Sequence, residues 1–323
     1  MNSSTARQVA QAADLFRAGR IGQAEQLLLA VVERDASISR AFELLGYIHG
    51  NRGDLARCRE LLEKAAALPG CPPEALYDLG RVQLQCGRAR EAVASFARAM
   101  QAAGEFFEGL HEQGVAYGAL CEHEHALRCF QRAERLQPRS PELQSNLGDT
   151  LAALRRFEPA LGHYERALAL DPRFVQAWSN RGTVLAELGR GAAALASYER
   201  ALALAPDDVP TWMNKASTLN LLKREEEALA CYDAAQRLAP DLDYLAGNHH
   251  HAQMFAARWE GWSARAGELS RRVEAGEKAA PPFTLLSLPV DPGTLLACAR
   301  TFVLDRHPPR AAAGDGAAPA APG

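Results

Sequence analysis

The sequence predicts an all-α fold, an α-solenoid built from tandem 34-residue units. Two observations carry this. A small residue recurs every 34 positions, with no insertion or deletion, at Ala12, Gly46, Gly80, Gly114, Gly148, Gly182 and Ala216. Around it a second pattern keeps the same register. Twelve residues on lies another small side chain (Ala24, Cys58, Ala92, Ala126, Ala160, Ala194, Ala228), and four further a large one (Leu28, Leu62, Phe96, Phe130, Tyr164, Tyr198, Tyr232). A fixed period of this length marks one supersecondary unit copied in tandem. One such unit cannot bury its apolar face alone, so neighbours must stack.

The units themselves read as helices. Apolar residues such as Leu147, Leu151 and Leu154 follow the spacing of an amphipathic helix. Small residues let two helix backbones approach, and the bulky residue fills the space beside them. Mostly alanine follows three residues later, from Ala65 through Ala99, Ala133, Ala167 and Ala201 to Ala235. Pro138, Pro172, Pro206 and Pro240 close the last four units, because proline cannot continue a helix. Small or polar residues, such as Leu188-Gly189-Arg190, mark the turn inside a unit.

With these positions in register, the segment from Thr5 to Leu242 resembles the tetratricopeptide repeat family. The resemblance implies seven repeats over residues 5–242, each of two antiparallel helices, wound as a right-handed α-solenoid. Repeats one and two fit least well, at Ala12 and Cys58. The aromatic series is expected in the core.

Past Leu242 the register decays. Tyr244 to Met254 and Trp259 to Val273 still read as helices, a divergent eighth pair (243–276) that would cap the stack. Asn248-His249-His250-His251 invites a metal reading. Adjacent helical histidines point in different directions and no acid or cysteine follows at i+4, so a polar helix start is expected and no metal. Residues 277–310 form a proline-bounded connector, and the Gly/Ala/Pro tail 311–323 is expected to be disordered.

Charge and cysteines narrow the function. The net charge of −3 gives no electrostatic case for nucleic acid or a membrane surface. Seven cysteines form no CxxC pair and no zinc spacing, which favours a reducing compartment. No signal pattern opens the chain and no apolar run spans a bilayer, so a cytoplasmic protein is expected. No nucleophile triad, carboxylate pair or glycine-rich phosphate loop appears, so neither an enzyme nor a cofactor is expected. Glu225-Glu226-Glu227 and His123-Glu124-His125 read as solvated helix surface.

One polar series stands out. Two residues before each small position the chain reads Ala10, Leu44, Asp78, Glu112, Asn146, Asn180 and Asn214, and the next step lands on Asn248. Two residues turn a helix by about 200°, so this position faces nearly away from the small-residue contact. An amide both donates and accepts, so a row of them can pair with a polypeptide backbone of any sequence. Asn146, Asn180, Asn214 and Asn248 are therefore the candidate peptide-binding residues, against the reading that they satisfy neighbouring backbone. Asp78 and Glu112 interrupt the series, pointing to basic partners or to a solvated face. The lysine and asparagine carboxylate clamp of some tetratricopeptide modules is not supported, since Ser145, Asp149, Ser179 and Thr183 hold its positions and Tyr77 and Arg81 supply a fragment.

The asparagine row resembles that of the repeat arm in O-linked N-acetylglucosamine transferases. The stretch Pro281 to Pro309, with Trp259-Glu260-Gly261-Trp262 before it, resembles the connector to the catalytic region in the bacterial proteins of that kind (glycosyltransferase family 41, SPINDLY-like). There a Phe-Leu-Leu segment leads into a helix, here Pro292 to Arg300, and two nucleotide-sugar lobes would follow. They need roughly several hundred further residues, so a truncated frame, a frameshift or a separate catalytic chain is expected. The function implied is the substrate-selecting arm of an O-GlcNAc transferase-like system, holding extended polypeptide in a concave groove, with a separate glycosyltransferase chain as partner. The alternative is a free-standing scaffold or adaptor for assembling protein complexes. An unpartnered connector would expose Phe283, Leu285, Leu286 and Leu288.

Overall fold

A computed structural model describes residues 3–288 and 290–306 of the chain. The expected disordered tail 311–323 and the last connector residues, 307–310, lie outside the described residues. All regular structure among the described residues is helical, and the chain divides into two compact units, Met1–Ala177 and Trp178–Gly323.

In the first unit, helices come in consecutive pairs: α1 (Ser3–Arg17) with α2 (Ile21–Arg34), α3 (Ser39–Asn51) with α4 (Leu55–Ala67), α5 (Pro73–Gln85) with α6 (Ala89–Ala103), α7 (Phe107–Ala119) with α8 (His123–Leu136), and α9 (Pro141–Ala153) with α10 (Phe157–Leu170). The second helix of each pair packs on the first helix of the next. The second unit continues with α11 (Val175–Glu187, from Trp178 on), α12 (Gly191–Leu204), α13 (Val209–Leu221), α14 (Glu225–Leu238), α15 (Leu245–Phe255), α16 (Trp262–Glu274), the short α17 (Pro282–Leu285) and α18 (Pro292–Arg306).

The 34-residue period sets the local chemistry. A β-carbon on Gly80, Gly114, Gly148 or Gly182 would meet the ring of Phe96, Phe130, Tyr164 or Tyr198 at 2.5–2.6 Å, so each glycine is the socket for one aromatic. The prolines act as expected. Gln137, Asp171, Ala205 and Ala239 each precede one, hold extended φ angles, and end α8, α10, α12 and α14.

The turn inside each pair carries a regularity that the sequence alone conceals. One residue per pair is left-handed, always in the same register: Gly19, Gly53, Gly87, Cys121 and Arg155 in the first unit, Gly189, Lys223 and Ala257 in the second. Glycine fills that position at no steric cost, while the other four do not. Ala257 keeps that register in the turn between α15 and α16.

That pair departs from expectation in two ways. Trp259 lies outside α16, because Gly261 turns left-handed at φ +66° and starts the helix at Trp262. The histidines do not form a polar helix start; they lie inside α15, and His250 is 1% exposed. The reason is register. One period beyond Ala216 falls on His250, so the imidazole occupies the position that faces the paired helix, with Ala266 where the large residue normally sits.

The connector is also better covered than expected. Leu285 is fully buried and Leu288 nearly so, in one cluster with Ala266, Leu269, Val273 and Cys298, whereas Phe283 and Leu286 are 73% and 67% exposed. The turn of α17 sends successive apolar side chains to opposite sides, and α16 and α18 cover one of them. Lys278 ties this end together: its ammonium meets Asp243 at 3.1 Å and pairs with Asp305 at 2.5 Å, and the Tyr244 hydroxyl donates to Asp305 at 3.1 Å. Helix α18 runs six residues past the expected Arg300, to Arg306.

Candidate functional site

Asn146 sits in the middle of α9, which Pro141 opens and the Ser140 hydroxyl caps by accepting from the Leu143 amide at 3.1 Å. Its side chain is half-buried, and its Nδ2 lies 2.9 Å from Nε2 of His111 on α7. One turn later the Thr150 hydroxyl donates to the Asn146 carbonyl at 2.7 Å, and Asp149 accepts from the Tyr164 hydroxyl at 2.7 Å. Burial, and then the Asp149 carboxylate, raise the Tyr164 phenol well above its usual pKa, so it stays a donor.

These side chains border a cleft of about 200 Å³ between α7, α8 and α9, lined by Val115, His123, Phe130, Asn146, Asp149 and Thr150 among others. The same cleft recurs two periods earlier. There Tyr47, Leu55, Leu62, Asp78, Arg81 and Val82 replace those six in order, around about 330 Å³. In the second unit Lys223, Glu225, His251 and Phe255 line a cleft of about 200 Å³, with His251 three periods beyond Asp149. A side-chain-sized recess between a helix pair and the next first helix is thus a property of the repeat.

The chemistry of the recess varies along the chain. In the earliest cleft the Tyr47 hydroxyl donates to Asp78 at 2.8 Å, and Arg81 stands 4.0 Å from the same carboxylate, so Asp78 is engaged rather than simply solvated. Cys58 at its back is pushed up to about 11 by burial and remains a packed thiol. The middle cleft is mainly apolar, with Asn146 and Asp149 as its polar side. In the last, the Lys223 ammonium lies 6.0 Å from the centre of the Phe255 ring.

The other candidate asparagines occupy the second unit. Asn180 is half-buried on α11. Asn214 on α13 donates through Nδ2 to the Thr183 hydroxyl at 3.3 Å, and the Tyr198 hydroxyl reaches the same oxygen at 3.3 Å. Asn248 is half-buried on α15. Asn146 and Asn214 each therefore hold one lateral contact, which orients the amide and leaves most of its hydrogen-bonding capacity. His123 and Glu225, which read as solvated surface in sequence, are cleft residues. Stepping the cleft positions by 34 would have found them.

Among the described residues no group of three or more His, Cys, Asp or Glu side chains could hold a metal ion, and no helix is long and apolar enough to cross a membrane. His249 does find an acid, but from another helix: its Nε2 lies 2.7 Å from Asp233 on α14.

Family profiles described as tetratricopeptide repeat match residues 9–72, 111–173, 145–209 and 180–243, and a second profile of the same description matches 73–106. No curated protein matches the chain. Among solved structures, PilW, a type IV pilus biogenesis factor, is similar over 67% of this chain and 98% of its own at 21% identity and a TM-score of 0.60. The C-terminal part of a TPR repeat-containing protein from Cytophaga hutchinsonii is similar over 74% and 98% at 12% identity and 0.57. The Cut9–Hcn1 assembly of the APC/C is similar over 75% and 48% at 16% identity and 0.56. At these identities the likeness is one of fold.

Proposed function

The chain belongs to the tetratricopeptide repeat family, and from that premise we propose that it holds an extended polypeptide against the first helices of its repeats through Asn146, Asn180, Asn214 and Asn248. The tetratricopeptide repeat is a protein-interaction module, and the chain acts by binding. The observation that carries the finer reading is the register of the clefts. Asn146 borders a recess that the repeat places again at Asp78, so a backbone-pairing amide stands beside a pocket sized for one side chain. An extended ligand would pair its peptide groups with the amides and seat alternate side chains in the recesses.

The resemblance of Pro281 to Pro309 supports a narrower role, the substrate-selecting arm of an O-GlcNAc transferase-like system whose transferase is a separate chain. Capture would raise the local concentration of acceptor polypeptide near the sugar-transfer site. A free-standing scaffold or adaptor is the second reading. It is favoured by the burial of Leu285 and Leu288, through which α16, α17 and α18 close on one another.

Binding of a peptide library to the full chain, beside the variant N146A/N180A/N214A/N248A, tests the amide reading. The wild type should bind and the variant should lose most affinity at unchanged helicity. Equal binding by both would sink it. The narrower role predicts that adding the chain raises sugar transfer by a partner glycosyltransferase; no stimulation leaves the scaffold.

A further inference from the structure

The contact between α15 and α16 is poor in satisfied polar groups. Of seven buried side-chain nitrogen and oxygen atoms without a hydrogen-bond partner among the described residues, five lie on these two helices: both ring nitrogens of His250, Oε1 of Gln253, Nε1 of Trp262 and Nε of Arg265. Each costs free energy while it stays dry and recovers it on meeting water. The closed pair carries a penalty that an open pair does not, and elements of that kind open first.

His250 stands at the centre of this contact. It is buried at the register position that holds glycine or alanine in the seven preceding units, and its ring lies 6.0 Å from that of Trp262. The charged groups that bear on it are Arg265 from α16 and, on its own helix, His249 and His251. From α14, Asp233 is engaged by His249 at 2.7 Å and Glu226 by Arg258 at 2.9 Å. Ahead of α17, Lys278 is engaged by Asp243 and Asp305, and α17 itself carries no ionisable side chain. A proton on the His250 ring therefore places a second buried cation beside the Arg265 guanidinium, with no acceptor to receive it. Water relieves such an arrangement.

The direction with pH follows. Burial, and then the Arg265 guanidinium, hold the His250 pKa below its ordinary value. A solvated imidazole takes its proton at about pH 6.5. The open form thus binds the proton more readily than the closed one. The closed form is fully favoured above about pH 6.5 and loses ground as pH falls below it.

The chain has a place to move. Ala257 and Gly261, left-handed at φ +54° and +66°, lie in the turn between the two helices. Away from that turn, Tyr244 and Lys278 at the start of α15 hold Asp305 of α18. We propose that His250 is an acid-sensitive latch, whose protonation parts the Trp262–Arg265 end of α16 from α15 while the anchor of α18 stays closed. The latch shares no residue with the asparagine row and stands or falls separately from it.

The test is NMR on the ¹⁵N-labelled full chain between about pH 7.5 and 5. Its readout is solvent exchange of the Trp262 indole N–H, buried in the closed pair, referenced to the indole of the exposed Trp259. One proton shifts an opening equilibrium by up to about tenfold per pH unit. The exchange ratio should therefore rise about 10- to 30-fold by pH 5, while the Tyr244–Phe302 ring contact persists. His250→Leu, close in size and without a titrating group, should abolish the rise. If that variant does not fold, His250→Ala restores the small residue of the other units and should abolish it too. His251→Gln changes a neighbouring imidazole that packs on Phe255 instead, and should keep the rise. A flat ratio in the wild type, a rise that persists in a folded His250 variant, a rise lost in His251→Gln, or loss of the Tyr244–Phe302 contact over the same range overturns the proposal.

Discussion

Gly148 and Tyr164 are fitted to each other: a β-carbon on Gly148 would lie 2.6 Å from Cε1 of the ring, well inside contact distance. Gly148→Ala should therefore destabilise the first unit by about 1–3 kcal/mol through overpacking, outweighing the ~0.5–1 kcal/mol that alanine gains over glycine in a helix. Chemical denaturation followed by circular dichroism measures it. Tyr164→Leu in the Gly148→Ala background should recover part of the loss, because Ala12 and Leu28 already form that pairing in the first repeat. Truncating the wedge itself, as in Tyr198→Ala, should cost about 3–5 kcal/mol.

The left-handed turn position offers the opposite experiment. Cys121 and Lys223 hold φ of 58° and 59° where Gly19, Gly53, Gly87 and Gly189 are found in other pairs. Cys121→Gly should raise stability by up to about 1 kcal/mol, relief of the left-handed strain being partly offset by glycine's added freedom in the unfolded chain, and Lys223→Gly should gain less, since its ammonium lies 6.0 Å from the Phe255 ring centre and that contact is lost. Arg155→Gly should gain less, since its guanidinium lies 5.2 Å from the Phe157 ring centre and that contact is lost. A fall in the denaturation midpoint of Cys121→Gly would contradict this account.

The connector separates into a structural and a free face. Leu285→Ala should loosen α16 and α18 by about 2–5 kcal/mol, seen as faster hydrogen exchange in both. Phe283→Ala and Leu286→Ala should leave exchange there unchanged, because neither side chain is covered.

The Lys278–Asp305 pair sets a pH response. The hydrogen bond from Lys278 holds the Asp305 carboxyl below its usual range, and the Asp305 and Asp243 carboxylates push Lys278 up to about 12. A lowered carboxyl stabilises the fold above its unfolded pKa, and that contribution is lost as pH falls below about 4. A raised ammonium stabilises below its unfolded pKa, and its contribution is lost as pH climbs from about 10.4 through 12. The docking of α18 should thus be flat between those limits and weaken outside them, read from the Tyr244–Phe302 ring contact by NMR. Asp305→Asn should show no loss on the acid side from this pair.

Much of the fold was legible because helix packing is written in residue size. The Gly80–Phe96 and Gly148–Tyr164 pairs sit sixteen residues apart within one unit, so a single period exposes them. The candidate asparagines followed from the same count, and the clefts that Asn146 and Asp78 border could have been reached by extending it. The left-handed residues were hidden because Cys121, Arg155, Lys223 and Ala257 adopt a conformation that only glycine advertises.

By itself the sequence determined the repeat, its helix ends at Pro138, Pro172, Pro206 and Pro240, and the size-matched core, since each depends on neighbours within one or two periods. Only the tertiary structure decided which side chains acquired partners. Asp233 reaches His249 from a different helix, Leu285 is covered only when α16 and α18 meet over it, and Nε of Arg265 is left without a hydrogen-bond partner among the described residues. Those outcomes depend on distances between elements that no periodic pattern along the chain encodes.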